Sequence, residues 1–363
     1  MKTSTSRSLT ACFDRWLFDS CHPVVCSILR IACASLLLVY WLVLYPELEY
    51  WFTDAGVMTS ATAQHSGRSV YGSLLFWLPS DASTVRLLWW VMFVQTGLLW
   101  LGCLSRFQIA CIFVGLVSFQ HRNNFIFDGQ DTMLRMLAFC MIFMPLDYRW
   151  SLGRWLSQLA HQTLVKPRGQ RPARLRTEVL PSEVLPSEVH SSAGQHSAGQ
   201  QSADGHSADR HSAARGPLGT RRFESAWGLR LVQLQVSAVY LSTAWEKAQG
   251  NLWRDGTALY YVSRMDDLYG RFTLPDHWFE TAWLLAAMTW GVVLLEGSLP
   301  VLLWCKPTRK WALLAAIGLH LSIELTMHVF LFQWVMIVSL LSFLPAAAPL
   351  FGRPSPPMAE SPR

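Results

Sequence analysis

The chain has 363 residues, of which 52% are hydrophobic and only 15% are charged. Soluble domains usually carry about 25% charged residues, so this composition excludes an ordinary soluble protein and predicts a polytopic membrane protein. The net charge of +6 is concentrated in particular loops, so it indicates membrane topology and no nucleic-acid partner.

Apolar segments follow one another along most of the chain, and several approach the roughly 20 residues that a helix needs to cross a bilayer. Residues 1–23 are polar and mixed, so no cleavable signal peptide is predicted and the first segment should stay as an anchor. The fold class predicted is an all-α polytopic membrane protein, a bundle of about eight transmembrane helices. The apolar segments are 24–45, 84–103, 107–120, 132–146, 227–245, 279–303, 310–325 and 330–346.

Lysine and arginine predict the orientation of these segments. With eight spans, the basic N-terminus and loops 104–106, 147–222 and 304–310 all fall on one side. Because positive loops stay inside, we expect a multi-pass protein of the cell membrane with both termini in the cytoplasm. A count of about seven or nine spans stays open.

The domain organisation follows from an abrupt change in composition. Residues 162–221 include the repeat "LPSEVLPSEV" and a run rich in Ser, Ala, Gly and His. Such a sequence cannot bury a core, so a disordered cytoplasmic linker is predicted there and a disordered tail over 347–363. The linker separates an N-terminal half, 1–161, from a C-terminal half, 222–346, of one transmembrane domain.

Cysteine usage gives no redox or metal signature. The eight cysteines include no CxxC pair and no Cys/His spacing of a metal site. Most lie in or beside apolar segments, where cysteine acts as a small hydrophobic residue. We therefore predict no metal site.

Charged residues within or beside lipid are costly and mark functional sites by default. Four groups qualify, and one of them places its three side chains on one helical face through i, i+4 and i+8 spacing. The alternative is that these groups pair with each other and hold the bundle together. The groups are Arg30; the polar loop 120–131 with Arg135; Glu296; and His320, Glu324 and His328.

Lys247 ends an apolar segment, among Trp245, Trp253 and Tyr260. Loss of hydration there disfavours the ammonium form, so Lys247 is a candidate proton acceptor for a phenol-like group. The neighbouring Glu246 opposes this effect unless it points away. The alternative is a snorkelling lysine that marks the end of a span.

Three stretches together resemble the horizontally transferred transmembrane (HTTM) domain family, to which vitamin K-dependent gamma-glutamyl carboxylase is related. The order and spacing of the stretches carry the resemblance, which extends from about residue 20 to 346 with the linker as an insertion. The stretches are "RNNFIFDGQDTMLRMLAFCMIFMP" (122–145), "STAWEKAQGNLWRDGTALYYV" (242–262) and "GLHLSIELTMHVFLFQWVMI" (318–337).

The resemblance implies a chemistry and a set of site residues. In the family, a lysine matching Lys247 is the proposed base that deprotonates a vitamin K-like quinol, which is then epoxidised by oxygen. We expect a membrane oxidoreductase or carboxylase-like lyase that uses such a quinol. The large soluble region of the carboxylase has no counterpart after residue 346, which makes protein carboxylation doubtful. Substrate-binding roles are assigned to Arg122, Asn123, Trp253, Asp255, His320 and Glu324.

A second hypothesis stays open beside the enzyme. The chain could be a non-catalytic membrane protein that assists the maturation, immunity or transport of a partner whose identity the sequence does not give. The lipid bilayer is a partner under both hypotheses. The enzyme hypothesis requires Lys247, the loop 121–131 and the His320–Glu324 face to line one outward-opening pocket.

Overall fold

A computed structural model describes residues 16–17, 23–66, 73–123, 125–164, 227–265, 275–327 and 329–344. Over these residues the chain is helical and contains no strand, as the apolar segments predict. The predicted linker begins inside a helix that ends at Leu164. The rest of the linker, the tail 347–363 and His328 lie outside the described residues.

The helices are numbered in chain order. In the N-terminal half they are α1 Pro23–Leu44, α2 Leu48–Phe52, α3 Ser60–Ser66, α4 Ala82–Leu101, α5 Ser105–Arg122, α6 Gly129–Ile142 and α7 Leu152–Leu164. In the C-terminal half they are α8 Trp227–Gln249, α9 Asn251–Arg254, α10 Ala258–Val262, α11 Asp276–Glu280, α12 Ala282–Leu302, α13 Arg309–Thr326 and α14 Phe332–Leu340. Short 3₁₀ helices cover Tyr45–Glu47, Leu74–Phe76 and Leu341–Phe343.

Among the described residues, three helical segments are long and apolar enough to cross a membrane: Val24–Phe52, Ala82–Leu101 and Ala282–Leu302. The predicted count of about eight spans is therefore not confirmed. Two predicted spans are short helices in the structure, since α6 has 14 residues and α14 has 9. Helix α8 has 23 residues but also carries several polar and charged side chains.

The described residues up to Gln158 and from Trp227 onward belong to one compact unit, and the described residues from Leu159 to Leu164 belong to a second. In the first unit α1 packs against α4, and α5 packs against both α4 and α6. Helix α8 contacts α6 from the N-terminal half and α12 from the C-terminal half. The short α14 contacts α1, α6, α8 and α13, so it lies at the centre of the helices that surround the site.

The contacts of Arg30 hold neighbouring segments of the chain together. Its side chain is completely buried, and its guanidinium donates to the carbonyl oxygens of Leu146 at 3.3 Å and Trp150 at 2.6 Å. The carboxylate of Asp147 lies 3.5 Å away. A Cβ at Gly102 would lie 2.1 Å from Nη1 of Arg30, so the arginine needs a glycine beside it. These contacts support, for Arg30, the alternative in which a buried charge joins helices.

Candidate functional site

A cavity of about 380 Å³ lies between five elements of the helical unit. Helix α8 and the 329–336 segment contribute most of the lining residues, and α13 contributes His320 and Ile323. Helix α12 contributes only the carboxylate of Glu296. The start of α6 completes the cavity. Its lining residues are Asp128, Gly129, Val239, Tyr240, Thr243, Lys247, Glu296, His320, Ile323, Val329, Phe332, Gln333 and Met336.

Lys247 and Glu296 form an ion pair in the cavity wall. Nζ of Lys247 lies 2.5 Å from Oε2 of Glu296, and the two side chains are 24% and 8% exposed. Helix α8 extends one turn beyond the predicted end of its span, so Lys247 lies in its last turn and not after it. A buried carboxylate in an apolar helix needs such a counter-charge, because an unpaired charge there is expensive.

The surroundings of Lys247 differ in part from the prediction. The Trp253 ring centroid lies 5.4 Å from Nζ, which is cation–π distance. Trp245, in contrast, is 67% exposed and lies on another face of α8. Glu246 is also exposed, so the carboxylate that acts on the lysine is Glu296.

A chain of hydrogen bonds joins three buried side chains at the cavity. Nδ1 of His320 lies 2.5 Å from Oε1 of Gln333, and Nε2 lies 2.7 Å from the Tyr240 hydroxyl. Because an amide oxygen only accepts, Nδ1 carries the proton of the neutral imidazole and Nε2 accepts from Tyr240. The chain fixes the imidazole and connects a phenol on α8 with an imidazole on α13.

Apart from Asp128 and Thr243, the remaining lining residues are mostly apolar, and one helix terminus lies among them. Phe332 provides an aromatic face next to Gly129, where a Cβ would meet the ring at 3.4 Å. The first turn of α6 is closed by a capping box between Asp128 and Asp131. Gln130 accepts a hydrogen bond from the backbone of Leu331 at 2.8 Å, which ties this turn to the start of α14.

The structure brings together only part of the predicted site. Lys247 and His320 line the cavity, and the predicted outer loop contributes Asp128. Glu324 is buried one turn after His320 but does not line the cavity. Trp253 contacts the lysine from outside the lining, and Asp255 is exposed.

Arg122 and Asn123 lie away from the cavity wall. The Arg122 guanidinium is 3.2 Å from Asp54 and donates to the Met58 carbonyl at 3.0 Å. Asn123 donates to the carbonyl of Trp51 at 3.1 Å. Hydrogen bonds from Ser60, together with the positive charge of Arg122, hold the pKa of Asp54 below its ordinary value. These residues connect the end of α5 to the segment that follows α2.

Tyr240 and Gln333 were not among the predicted site residues, although both have a signal in the sequence. Tyr240 lies seven residues before Lys247, which puts both on one face of a helix. Gln333 is an amide in the apolar stretch "VFLFQWVMI", where an unpaired polar group would be costly.

Apolar helices long enough to span a bilayer indicate a membrane protein, and the cavity carries an ion pair. The family model for the HTTM domain matches residues 207–347. This range includes Lys247, Glu296, His320 and Gln333 and contains the second and third of the three stretches, so the HTTM resemblance is confirmed over this C-terminal part of the chain. Neither the curated proteins nor the solved structures gave a match.

Proposed function

We propose that the protein is a membrane oxidoreductase whose cavity binds a vitamin K-like quinol and removes a proton from its ring hydroxyl. The observation that carries the proposal is the convergence of the Lys247–Glu296 pair and the Tyr240–His320–Gln333 chain on one cavity. The HTTM match covers all five residues.

The cavity suits a planar, largely apolar molecule. Its volume of about 380 Å³ falls within the range of about 300–1,000 Å³ usual for small-molecule sites. Val239, Ile323 and Met336 provide apolar contacts, and Phe332 provides an aromatic face. The polar groups are few and lie on defined walls, as expected for a site that orients one or two ring oxygens.

In this proposal the Lys247–Glu296 ion pair accepts the proton of the quinol. Nζ of Lys247 and Oε2 of Glu296 lie 2.5 Å apart, and the pair as a whole is neutral whether its proton lies on the nitrogen or on the oxygen. When that proton lies on Glu296, Lys247 is a neutral amine, and its Nζ takes the proton of the ring hydroxyl. The result is the Lys247 ammonium next to the deprotonated ring oxygen, with the Glu296 carboxyl neutral. A positive charge held there lowers the cost of the transfer, because the site is poorly hydrated.

The Tyr240–His320–Gln333 chain of hydrogen bonds positions a second polar group, the Tyr240 hydroxyl, for contact with the quinol. Tyr240 donates to His320 in the neutral state, so the phenol oxygen keeps acceptor capacity toward the cavity. Gln333 holds the imidazole in one tautomer. The proposed overall reaction would convert the quinol and O₂ into the quinone epoxide and water, with O₂ as the oxidant and both hydroxyl protons of the quinol in the water.

Lys247→Arg tests the proposal, because arginine keeps the positive charge and cannot deprotonate usefully. The full-length protein in lipid nanodiscs would receive 2-methyl-1,4-naphthoquinol in air, and its consumption would be followed by absorbance and mass spectrometry. We expect turnover by the unchanged protein and a loss of roughly 10²–10⁴-fold in Lys247→Arg. Glu246→Gln, on the neighbouring exposed residue, should turn over normally.

Two outcomes would contradict the proposal. Retained turnover in a folded Lys247→Arg protein would leave the lysine as an anchor. Absence of both binding and turnover in the unchanged protein would favour the alternative, a non-catalytic membrane protein that assists a partner.

A further inference from the structure

The first turns of helix α7, Leu152–Leu164, present an apolar face that is exposed among the described residues. Leu152, Trp155 and Leu156 lie on one side of the helix and are 37%, 56% and 49% exposed. Arg154 and Ser157 lie on the other side. A contiguous apolar face bordered by polar residues marks contact with a membrane or a partner.

The position of α7 indicates a membrane surface. Oγ of Ser151 donates to the carbonyl oxygen of Gly102 at 2.7 Å. Gly102 caps α4, so α7 begins where the candidate span Ala82–Leu101 ends. Trp150 is 57% exposed at the same level. Tryptophan accumulates at the boundary between hydrocarbon and headgroups.

A basic concavity lies beside this face. It has a volume of about 360 Å³ and is lined by Tyr148, Arg149, Trp150, Arg154 and Trp155 among others. No carboxylate is among its lining residues. The Arg154 guanidinium lies 5.3 Å from the Tyr148 ring centroid and donates to the Tyr148 carbonyl, which fixes its position.

Asp147, which precedes Tyr148 in the chain, is engaged elsewhere. Asp147 accepts a hydrogen bond from the backbone of Ser105 at 3.1 Å and lies 3.5 Å from Arg30. The exposed guanidinium groups of Arg149 and Arg154 therefore face solvent or lipid headgroups without a neutralising partner in the concavity.

We propose that residues 148–158 form an interfacial binding site for an anionic phospholipid headgroup. The apolar face of α7 enters the boundary of the acyl chains, and the two guanidinium groups hold the lipid phosphate. The basic loops predict that this leaflet is cytoplasmic, where anionic lipids attract basic residues next to a span. This site is separate from the cavity at Lys247 and does not depend on its function.

Native mass spectrometry of the full-length protein in detergent tests the site. Phosphatidylglycerol and phosphatidylcholine with the same acyl chains would be added separately. We expect phosphatidylglycerol to be retained preferentially, and the Arg149→Gln/Arg154→Gln protein to lose affinity by about fivefold for each arginine. A control with the same loss of charge, Arg86→Gln/Arg254→Gln, should bind normally.

Three results would overturn the assignment. They are equal retention of both lipids, equal loss in the control, and complete displacement of phosphatidylglycerol by inorganic phosphate. The last result would identify a site for a free oxyanion.

Spin labels measure the insertion of α7 independently of lipid affinity. In liposomes, a label at Leu156 should be accessible to oxygen and protected from an aqueous nickel complex, and a label at Ser157 should show the reverse. Equal exposure of both labels to the nickel complex would exclude an inserted helix.

Discussion

Lys247 and Glu296 occupy positions that neither could hold alone. Glu296 belongs to a candidate span and is 8% exposed, while Lys247 keeps 24% exposure. Removing one member of a buried pair leaves an uncompensated charge, whereas removing both removes the desolvation cost as well. The pair therefore predicts an unusual order of stability among variants.

We expect Lys247→Met to be less stable than Lys247→Met/Glu296→Leu by roughly 2 kcal/mol, below the 3–5 kcal/mol for breaking a fully buried pair because the lysine is partly exposed. Thermal unfolding in detergent measures this difference. A double variant as unstable as the single variant, or more so, would show that Glu296 is stabilised by other groups.

Sequence reasoning identified Lys247, Glu296 and His320 separately, because each is a polar group in an apolar setting. It did not pair the first two, since 49 residues separate them and no local pattern joins them. The substrate-binding roles of Arg122 and Asn123 remain predictions. Their observed contacts hold backbone segments and lie outside the cavity wall.

The junction between α4 and α5 shows how helices are fixed by close approach of the backbone. Gly102 has φ +76°, and a Cβ there would lie 2.1 Å from Arg30 Nη1 and 2.8 Å from the Ser151 Cα. Gly97, within α4, has nothing within 4 Å of the corresponding position. The two glycines form a matched pair for mutation.

Gly102→Ala should destabilise the protein by roughly 2 kcal/mol, through backbone strain and overpacking. Gly97→Ala should be neutral or stabilise by about 0.5–1 kcal/mol. Thermal unfolding of both variants in the same detergent makes the comparison. Equal stability would mean that Arg30 moves without cost and does not lock this junction.

The sequence predicted correctly that these segments are helices, but it predicted less well the residues at which the helices begin and end. Apolar segments indicated helices throughout the described chain, but the end of α8 and the division between α13 and α14 depend on tertiary packing. Phe330, between α13 and α14, has φ +25°. This turn brings Gln333 to within 2.5 Å of His320, a contact that no helical period encodes.

At the scale of the whole molecule, the two halves meet directly through α6 and α8. The sequence predicted two halves on either side of a linker, because composition changes abruptly there. It did not predict the span count securely, since polar side chains in α8 and the short α14 weaken the hydropathy signal.

The topology remains a prediction with a direct test. The excess of lysine and arginine places loop 147–222 in the cytoplasm. A cysteine at Ser182 should react with an impermeant maleimide only after the cells are permeabilised, whereas a cysteine at Asn251 should react in intact cells. Labelling of residue 182 in intact cells would invert the assignment.

The central claim is that the cavity at Lys247 binds a ring-bearing lipid, and occupancy of the cavity tests it most directly. Thr243 lines the cavity, and the adjacent Ser242 is exposed outside it. The purified proteins would be incubated with a vitamin K-type naphthoquinone, washed, and analysed by mass spectrometry of the lipid extract. We expect equal retention by the unchanged protein and Ser242→Trp, and at least about tenfold less in Thr243→Trp, because the indole fills the cavity. Equal retention by Thr243→Trp, or none by the unchanged protein, would contradict the account.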